Sequence, residues 1–190
     1  MAYKFNSEHK QRLESEERKN DLPAKKTLRE MMLKQNDNMI DVGAGIGYFS
    51  IPASELVKPE GIIYAVDTSN EMIEEIVKRI KSKNIKNIKV FRGKKYECTI
   101  KDKSVDYILM VNVLHEVEDK ERLLNNYLKK LKPNGKIGII EFKKTDIDKG
   151  PPVKHKISNT ELKEYFNKLN IKIIKEVDLN NYQYGVVGGI

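Results

Sequence analysis

Ile40-Asp41-Val42-Gly43-Ala44-Gly45-Ile46-Gly47 is the stretch whose reading decides the fold. Met39 to Val42 is a short apolar strand. The glycines at 43, 45 and 47 let the backbone after it take positive φ and approach a ligand with no Cβ in the way. A strand, a glycine turn and then a helix open a doubly wound α/β sheet, whose ligands lie at the carboxyl ends of the strands. The next strand, Ile62 to Val66, runs into Asp67, twenty residues past Gly47 (67 − 47). A carboxylate there accepts hydrogen bonds from both hydroxyls of a ribose, so the pair points to an adenosine-containing ligand. Phosphates are not part of that expectation. The sixth position from Gly43, glycine in a dinucleotide fingerprint, is Tyr48, and the lysine of a nucleoside-triphosphate loop is missing.

Outward from that turn, Ile- and Val-rich strands alternate with amphipathic helices, which predicts a parallel sheet covered on both faces. Further strands are expected at Ile88 to Phe91, Val105 to Val111, Ile137 to Phe142, Ile171 to Val177 and Tyr184 to Val187. Asp178 to Gln183 is too short for a crossover helix, so the last two strands form an antiparallel hairpin. The fold class is α/β: a doubly wound, seven-stranded, mostly parallel sheet with an antiparallel C-terminal hairpin strand and helices on both faces. Thr68 with Glu71, and Ser158 with Glu161, read as capping boxes that start helices. Leu123, Leu124, Tyr127, Leu128 and Leu131 make one apolar stripe, with Pro133-Asn134-Gly135 as its stop. Two more helices are expected before the first strand, at Ser7 to Arg18 and Ala24 to Leu33.

The chain of 190 residues, 39% hydrophobic and 34% charged, suits one soluble domain spanning 1–190. Segment 1–22, with Tyr3, Phe5, His9, Arg12 and Leu13, reads equally as a lid over the site or as a solvated helix. No apolar run is long enough to span a bilayer, and the charged N-terminus lacks the core of a signal peptide, so a cytoplasmic protein is expected. The lone Cys98 allows no internal disulfide and no cysteine-built metal site, and His9, His115 and His155 are too far apart for metal-ligand spacing. The net charge of +8 comes overwhelmingly from lysine, with arginine only at 12, 18, 29, 79, 92 and 122. Arginine is the residue suited to planar phosphate recognition, so nucleic acid stays open as a partner without being favoured.

At these residues the chain resembles the Rossmann-like, class I methyltransferases that use S-adenosylmethionine, from about Pro23 to the C-terminus. It is most similar to the small-molecule branch that includes ubiquinone and menaquinone biosynthesis methyltransferases. The motifs carrying the likeness are Asp41 to Gly47, Asp67, Ser104-Val105-Asp106 and Leu131-Lys132-Pro133-Asn134-Gly135. The resemblance implies S-adenosylmethionine as cofactor, with Gly43, Ala44 and Gly45 lining its methionine part and Asp41 supporting the turn or the ammonium group. It further implies that Asp67 holds the ribose, that Thr68 and Met72 flank the adenine, and that Val111 and Asn112 meet the methionine end. One departure stands out. Where the family carries an acid that accepts from the adenine amino group, this chain reads Arg92-Gly93-Lys94-Lys95, and a lysine cannot accept. Adenine contacts around Gly93 and Lys94 then fall to backbone groups or to Glu97.

Methyl transfer is an in-line displacement in which positioning does much of the work. Directly after the fourth strand, His115 has a suitable pKa for a general base, and Asn112 or Glu116 could orient an acceptor. Local packing is the competing role for His115. Glu141 ends the fifth strand at the same edge, Gly150-Pro151-Pro152 is positioned to shape an acceptor pocket, and His155 is expected to be exposed. A small-molecule methyl acceptor is the leading expectation. An RNA or protein methyltransferase, or a non-catalytic S-adenosylmethionine-binding protein, is the alternative, and no metal is called for.

Overall fold

A computed structural model describes residues 14–146 and 149–190. Of the expected helix at Ser7 to Arg18 only residues 14–18 are described, and there a helix begins at Glu16; Tyr3, Phe5, His9, Arg12 and Leu13 lie outside the described residues. Two short helices come first, α1 (Glu16–Asp21) and α2 (Ala24–Glu30). The alternation then runs β1 (Met39–Val42), α3 (Ser50–Leu56), β2 (Ile63–Asp67), α4 (Asn70–Ser82) and β3 (Ile88–Arg92). It continues with β4 (Val105–Val111), α5 (Lys120–Leu128), β5 (Leu131–Phe142), α6 (Asn159–Lys168), β6 (Lys172–Asp178) and β7 (Gln183–Gly189). Single 3-10 turns at Leu114–Glu116 and Val153–His155 join β4 to α5 and β5 to α6.

All seven strands form one sheet in the order β3-β2-β1-β4-β5-β7-β6. The first five are parallel, and β7 pairs antiparallel with both β5 and β6, as the short connection requires. The strand order reverses between β1 and β4, and the crevice of a doubly wound sheet opens at the carboxyl ends of such a pair.

Each strand residue is assigned a side by the two-residue period of the pleat. Ile40 and Val42 of β1 join Ile108 and Met110 of β4 and Ile137 and Ile139 of β5 beneath α5 and α6. Met39 of β1 with Tyr107 and Leu109 of β4 packs on the opposite face, against Leu28 of α2, Ala53 of α3 and Ile76 of α4. Two site residues inherit their positions from this alternation. Asp41 points to the α3 side, and Glu141, in phase with Ile137 and Ile139, points to the α6 side.

Three local expectations are corrected. Helix α4 is capped at Ser69, with no side-chain capping bond, so Thr68 and Glu71 form no capping box. The Asp67 carboxylate takes the Ser69 N–H at 2.9 Å and makes that turn itself. Pro133-Asn134-Gly135 does not stop a helix: α5 ends at Leu128 because Leu131 is already paired with Val105 in the sheet. Register then jumps from Val105–Leu131 to Tyr107–Lys136, so the tripeptide is a bulge inside β5, with Asn134 at φ 65°. His155 is half-buried rather than exposed. The Ser158–Glu161 capping box is formed in both directions.

Candidate functional site

The glycine turn takes the geometry its composition allows. Gly43, Gly45 and Gly47 sit at φ 70°, 54° and 86°, a region costly for any residue with a Cβ. The N–H groups of Gly43 and Ala44 donate to the Val66 carbonyl at 2.8 and 3.0 Å, stitching the turn to the end of β2. A Cβ on Gly43 would also lie 2.6 Å from Val113 Cγ2, so the loops after β1 and β4 meet at van der Waals distance.

Asp67 is fixed by the same turn. Its Oδ2 accepts the Gly45 N–H at 2.8 Å and its Oδ1 the Ser69 N–H at 2.9 Å. Each oxygen keeps an acceptor site, and the residue lines the crevice. Asp41 lies beneath, with Oδ2 accepting the Ser50 hydroxyl at 2.5 Å. Burial pushes its carboxyl up to about 7, and the neighbouring Asp67 adds to the shift against the opposing pull of Ser50 and Arg18.

A cavity of about 1640 Å³ runs along this edge. Asp41, Gly43, Ala44, Gly45, Asp67, Thr68, Met72, Lys94 and Asn112 all line it, as does His115. Gly93 and Glu97 do not. Gly93 packs behind the wall, where a Cβ would meet Val66 Cγ1 at 2.8 Å. Glu97 turns its backbone to Lys94, whose N–H donates to the Glu97 carbonyl at 2.8 Å, and its carboxylate reaches toward Arg122. Asn112 takes φ 57°, a conformation asparagine tolerates, and its Oδ1 accepts from Gln183 Nε2 at 3.0 Å.

Sequence reasoning missed several lining residues. Leu123 and Tyr127 of α5 line the cavity, while Gln183 of β7 reaches Asn112 from the far side of β5. Arg18 of α1 stands out among them. Its guanidinium lies 4.8 Å above the Tyr48 ring, and its Nε is buried with no hydrogen-bond partner. Burial pushes its pKa down, against the pull of Tyr48 and Asp41. Helix α1 is fastened across the cavity by Lys149, whose ammonium lies 2.6 Å from both Glu17 and Asp21.

At the β4–β5 end, His115 and Glu141 form a buried pair. His115 Nδ1 lies 2.7 Å from Glu141 Oε2, and the His115 backbone N–H donates to Oε1 at 3.3 Å. The side chains are 3% and 0% exposed, so the contact is shielded from water. Burial disfavours the imidazolium, but the Glu141 carboxylate outweighs it and holds the imidazole pKa above its ordinary value. Among the described residues no group of three or more His, Cys, Asp or Glu is placed to hold a metal ion. No helix among them is long and apolar enough to cross a membrane.

A sheet ordered in this way, with a glycine turn and an acidic second-strand end facing one cavity, defines a Rossmann-like domain of the class I methyltransferase type. The chain belongs to the methyltransferase-domain family, whose sequence pattern matches residues 33–180. It is 28% identical over 123 residues to the demethylmenaquinone methyltransferase of Listeria welshimeri, covering 65% of this chain and 52% of that protein. The corresponding protein of Lactobacillus johnsonii is 29% identical over 118 residues, with 62% and 48% covered. The chain thus spans about half the length of the curated relatives it matches. Among solved structures, a SAM-dependent methyltransferase from Aquifex aeolicus superposes with a TM-score of 0.93 at 28% identity, over 98% of this chain and 100% of that one.

Proposed function

We propose that this chain transfers a methyl group from S-adenosylmethionine to a small-molecule acceptor. The single observation that carries the reading is Asp67, held by two backbone N–H groups at the end of β2 and facing the cavity beside the glycine turn. The orphaned Nε of Arg18 fits the same cofactor, because an α-amino acid brings a carboxylate that a buried guanidinium lacks. When bound, the cofactor supplies an electrophilic methyl group on a sulfonium.

The chain's own residues do the rest. Asp67 receives the ribose hydroxyls, while Met72, Thr68 and the side chains of Leu123 and Tyr127 sandwich the base. Lys94 borders the adenine end without replacing the missing acid, and Gly93 shapes the wall from behind. Gly43, Ala44, Gly45 and Asn112 bring backbone groups to the methionine portion. Asp41, buried and easily protonated, supports the turn and receives the ammonium. Arg18 takes the carboxylate, which makes α1, pinned by Lys149, the cover of the site. Glu141 orients His115 through Nδ1, and the imidazole takes a proton from an acceptor that must lose one. Glu116, which also lines the cavity, stands beside it to orient that acceptor.

The small-molecule acceptor is favoured over nucleic acid by the relatives, which act on demethylmenaquinone by name. The single Cys98 suits a reducing, cytoplasmic setting. Calorimetry with S-adenosylmethionine, with NADH as the rival ligand, tests the reading. Binding of the first and not the second is expected, weakened about tenfold or more (~1.4 kcal/mol) by Asp67→Ala. Failure of well-folded protein to bind S-adenosylmethionine would overturn it.

A further inference from the structure

A second cavity, of about 510 Å³, opens on the other side of the His115–Glu141 pair. It shares His115, Val117 and Glu118 as a wall with the larger cavity, so the two spaces are adjacent. Its lining is rich in cations, and their pairing matters more than their number. Lys144 is neutralised by Glu161 at 2.7 Å, and Lys168 by Glu121 at 2.8 Å. Glu118 is already spent on Lys95 at 2.9 Å. Lys120, Lys154 and Lys156 remain, and none of them has a carboxylate in an ion pair among the described residues.

Two of these three lysines are wholly or partly buried. Lys156 is 2% exposed, and its Nζ donates to the Thr145 carbonyl at 3.0 Å. Lys120 is half-buried, and its Nζ donates to the Val117 carbonyl at 2.7 Å. Each ammonium has three donors, and one carbonyl satisfies one of them. Burial lowers both lysine pKa values, as does the company of other cations for His155 beyond its own desolvation. Asp146 acts on Lys156, and Glu141 and Glu161 on Lys120, but from beyond ion-pair distance, so burial remains the larger effect on both and an anion entering the open cavity beside them is favoured. Glu164 lines the same space from α6, but it is exposed to solvent and lies beside Lys168.

We propose that this second cavity is a binding site for a phosphate-type oxyanion, placed to seat the charged end of an acceptor whose reacting end lies past His115. Three ammonium groups converge on it from the start of α5 and the turn before α6, a set of point charges suited to a dianion. The larger cavity next to it leaves room for the molecule that carries it. The assignment of the anion to an acceptor rests on the proposed methyl transfer, whereas anion binding itself does not.

Inorganic phosphate titrated into the full chain and followed by calorimetry tests the site. Saturable binding is expected, weakened at least about fivefold by Lys154→Gln, the Coulomb value in water of one lysine against a single negative charge at contact distance. Lys154 is exposed, so its loss leaves the core intact, and Lys172→Gln on edge strand β6, which does not line the cavity, serves as the control. No saturable binding, or equal weakening by both variants, would overturn the proposal. S-adenosylmethionine is titrated into the same samples. Phosphate binding without cofactor binding sinks the methyltransferase reading alone, and cofactor binding without phosphate binding sinks this inference alone.

Discussion

Replacing Asp41 by Asn should stabilise the ligand-free protein at neutral pH and leave it nearly unchanged below about pH 4. The carboxyl is 2% exposed and its pKa stands at about 7, against an ordinary value of 3.8. A raised folded-state pKa means that the folded protein binds the proton more tightly than the unfolded chain. The stabilisation is therefore complete below the unfolded value and is lost as pH rises through the folded one. Of a total loss of about 4.4 kcal/mol that begins near the unfolded value, wild-type stability should lose about 2.5 kcal/mol between roughly pH 5 and pH 7.5 from this group alone. Asparagine keeps an oxygen for the Ser50 hydroxyl and has no proton to lose. Urea denaturation of both proteins across that range isolates the effect, because every other titration cancels in the difference. A gap between Asp41→Asn and wild type that stays constant with pH would refute the reasoning. Adding S-adenosylmethionine should shrink the gap, since an ammonium beside Asp41 would ionise it in the folded state.

Glu141→Gln should lower the His115 pKa, because burial is then opposed only by the more weakly acting Glu116. Proton NMR of the imidazole checks this without an acceptor, and an unshifted titration would show that Glu141 does not govern the ring. In a turnover assay the rising, alkaline-going limb attributed to the free imidazole should move to lower pH in the same variant. Gly43→Ala combines a positive φ of 70° with a Cβ 2.6 Å from Val113 Cγ2, and should cost about 1–3 kcal/mol in denaturant unfolding. Adding Val113→Ala should recover the contact part of that loss but not the backbone part; full recovery would show that the φ carries no strain.

The fold was legible because its signals are local. β1 and β4 need only an apolar run bounded by turn residues, and the antiparallel end of the sheet follows from a connection too short for a helix. The errors arose where distant partners decide. Leu131 looks like the last residue of an α5 stripe until Val105 pairs with it, and Pro133-Asn134-Gly135 then becomes a bulge instead of a stop. Thr68 has the spacing of a cap, but the Asp67 carboxylate reaches the Ser69 N–H first. Arg18 sits in a six-residue charged helix with no apolar period, and only the cavity beneath shows what its guanidinium faces. Likewise Lys120, Lys154 and Lys156 are three lysines among many in the sequence. Their common cavity exists only once α5 and the turn before α6 are brought together.

Asp67 also has a consequence for how the site is ready to work. Both of its oxygens are anchored on backbone N–H groups before any ligand arrives, at 2.8 and 2.9 Å, so its rotamer is chosen by the fold. An immobilised side chain costs about 0.5–1.5 kcal/mol when a ligand has to order it, and that penalty is already absent at this position. Preorganisation of this kind makes the glycine turn and the carboxylate a single rigid receptor. On the proposed role of Asp67, natural variation that loosens Gly45 would therefore weaken nucleoside binding without altering the carboxylate itself.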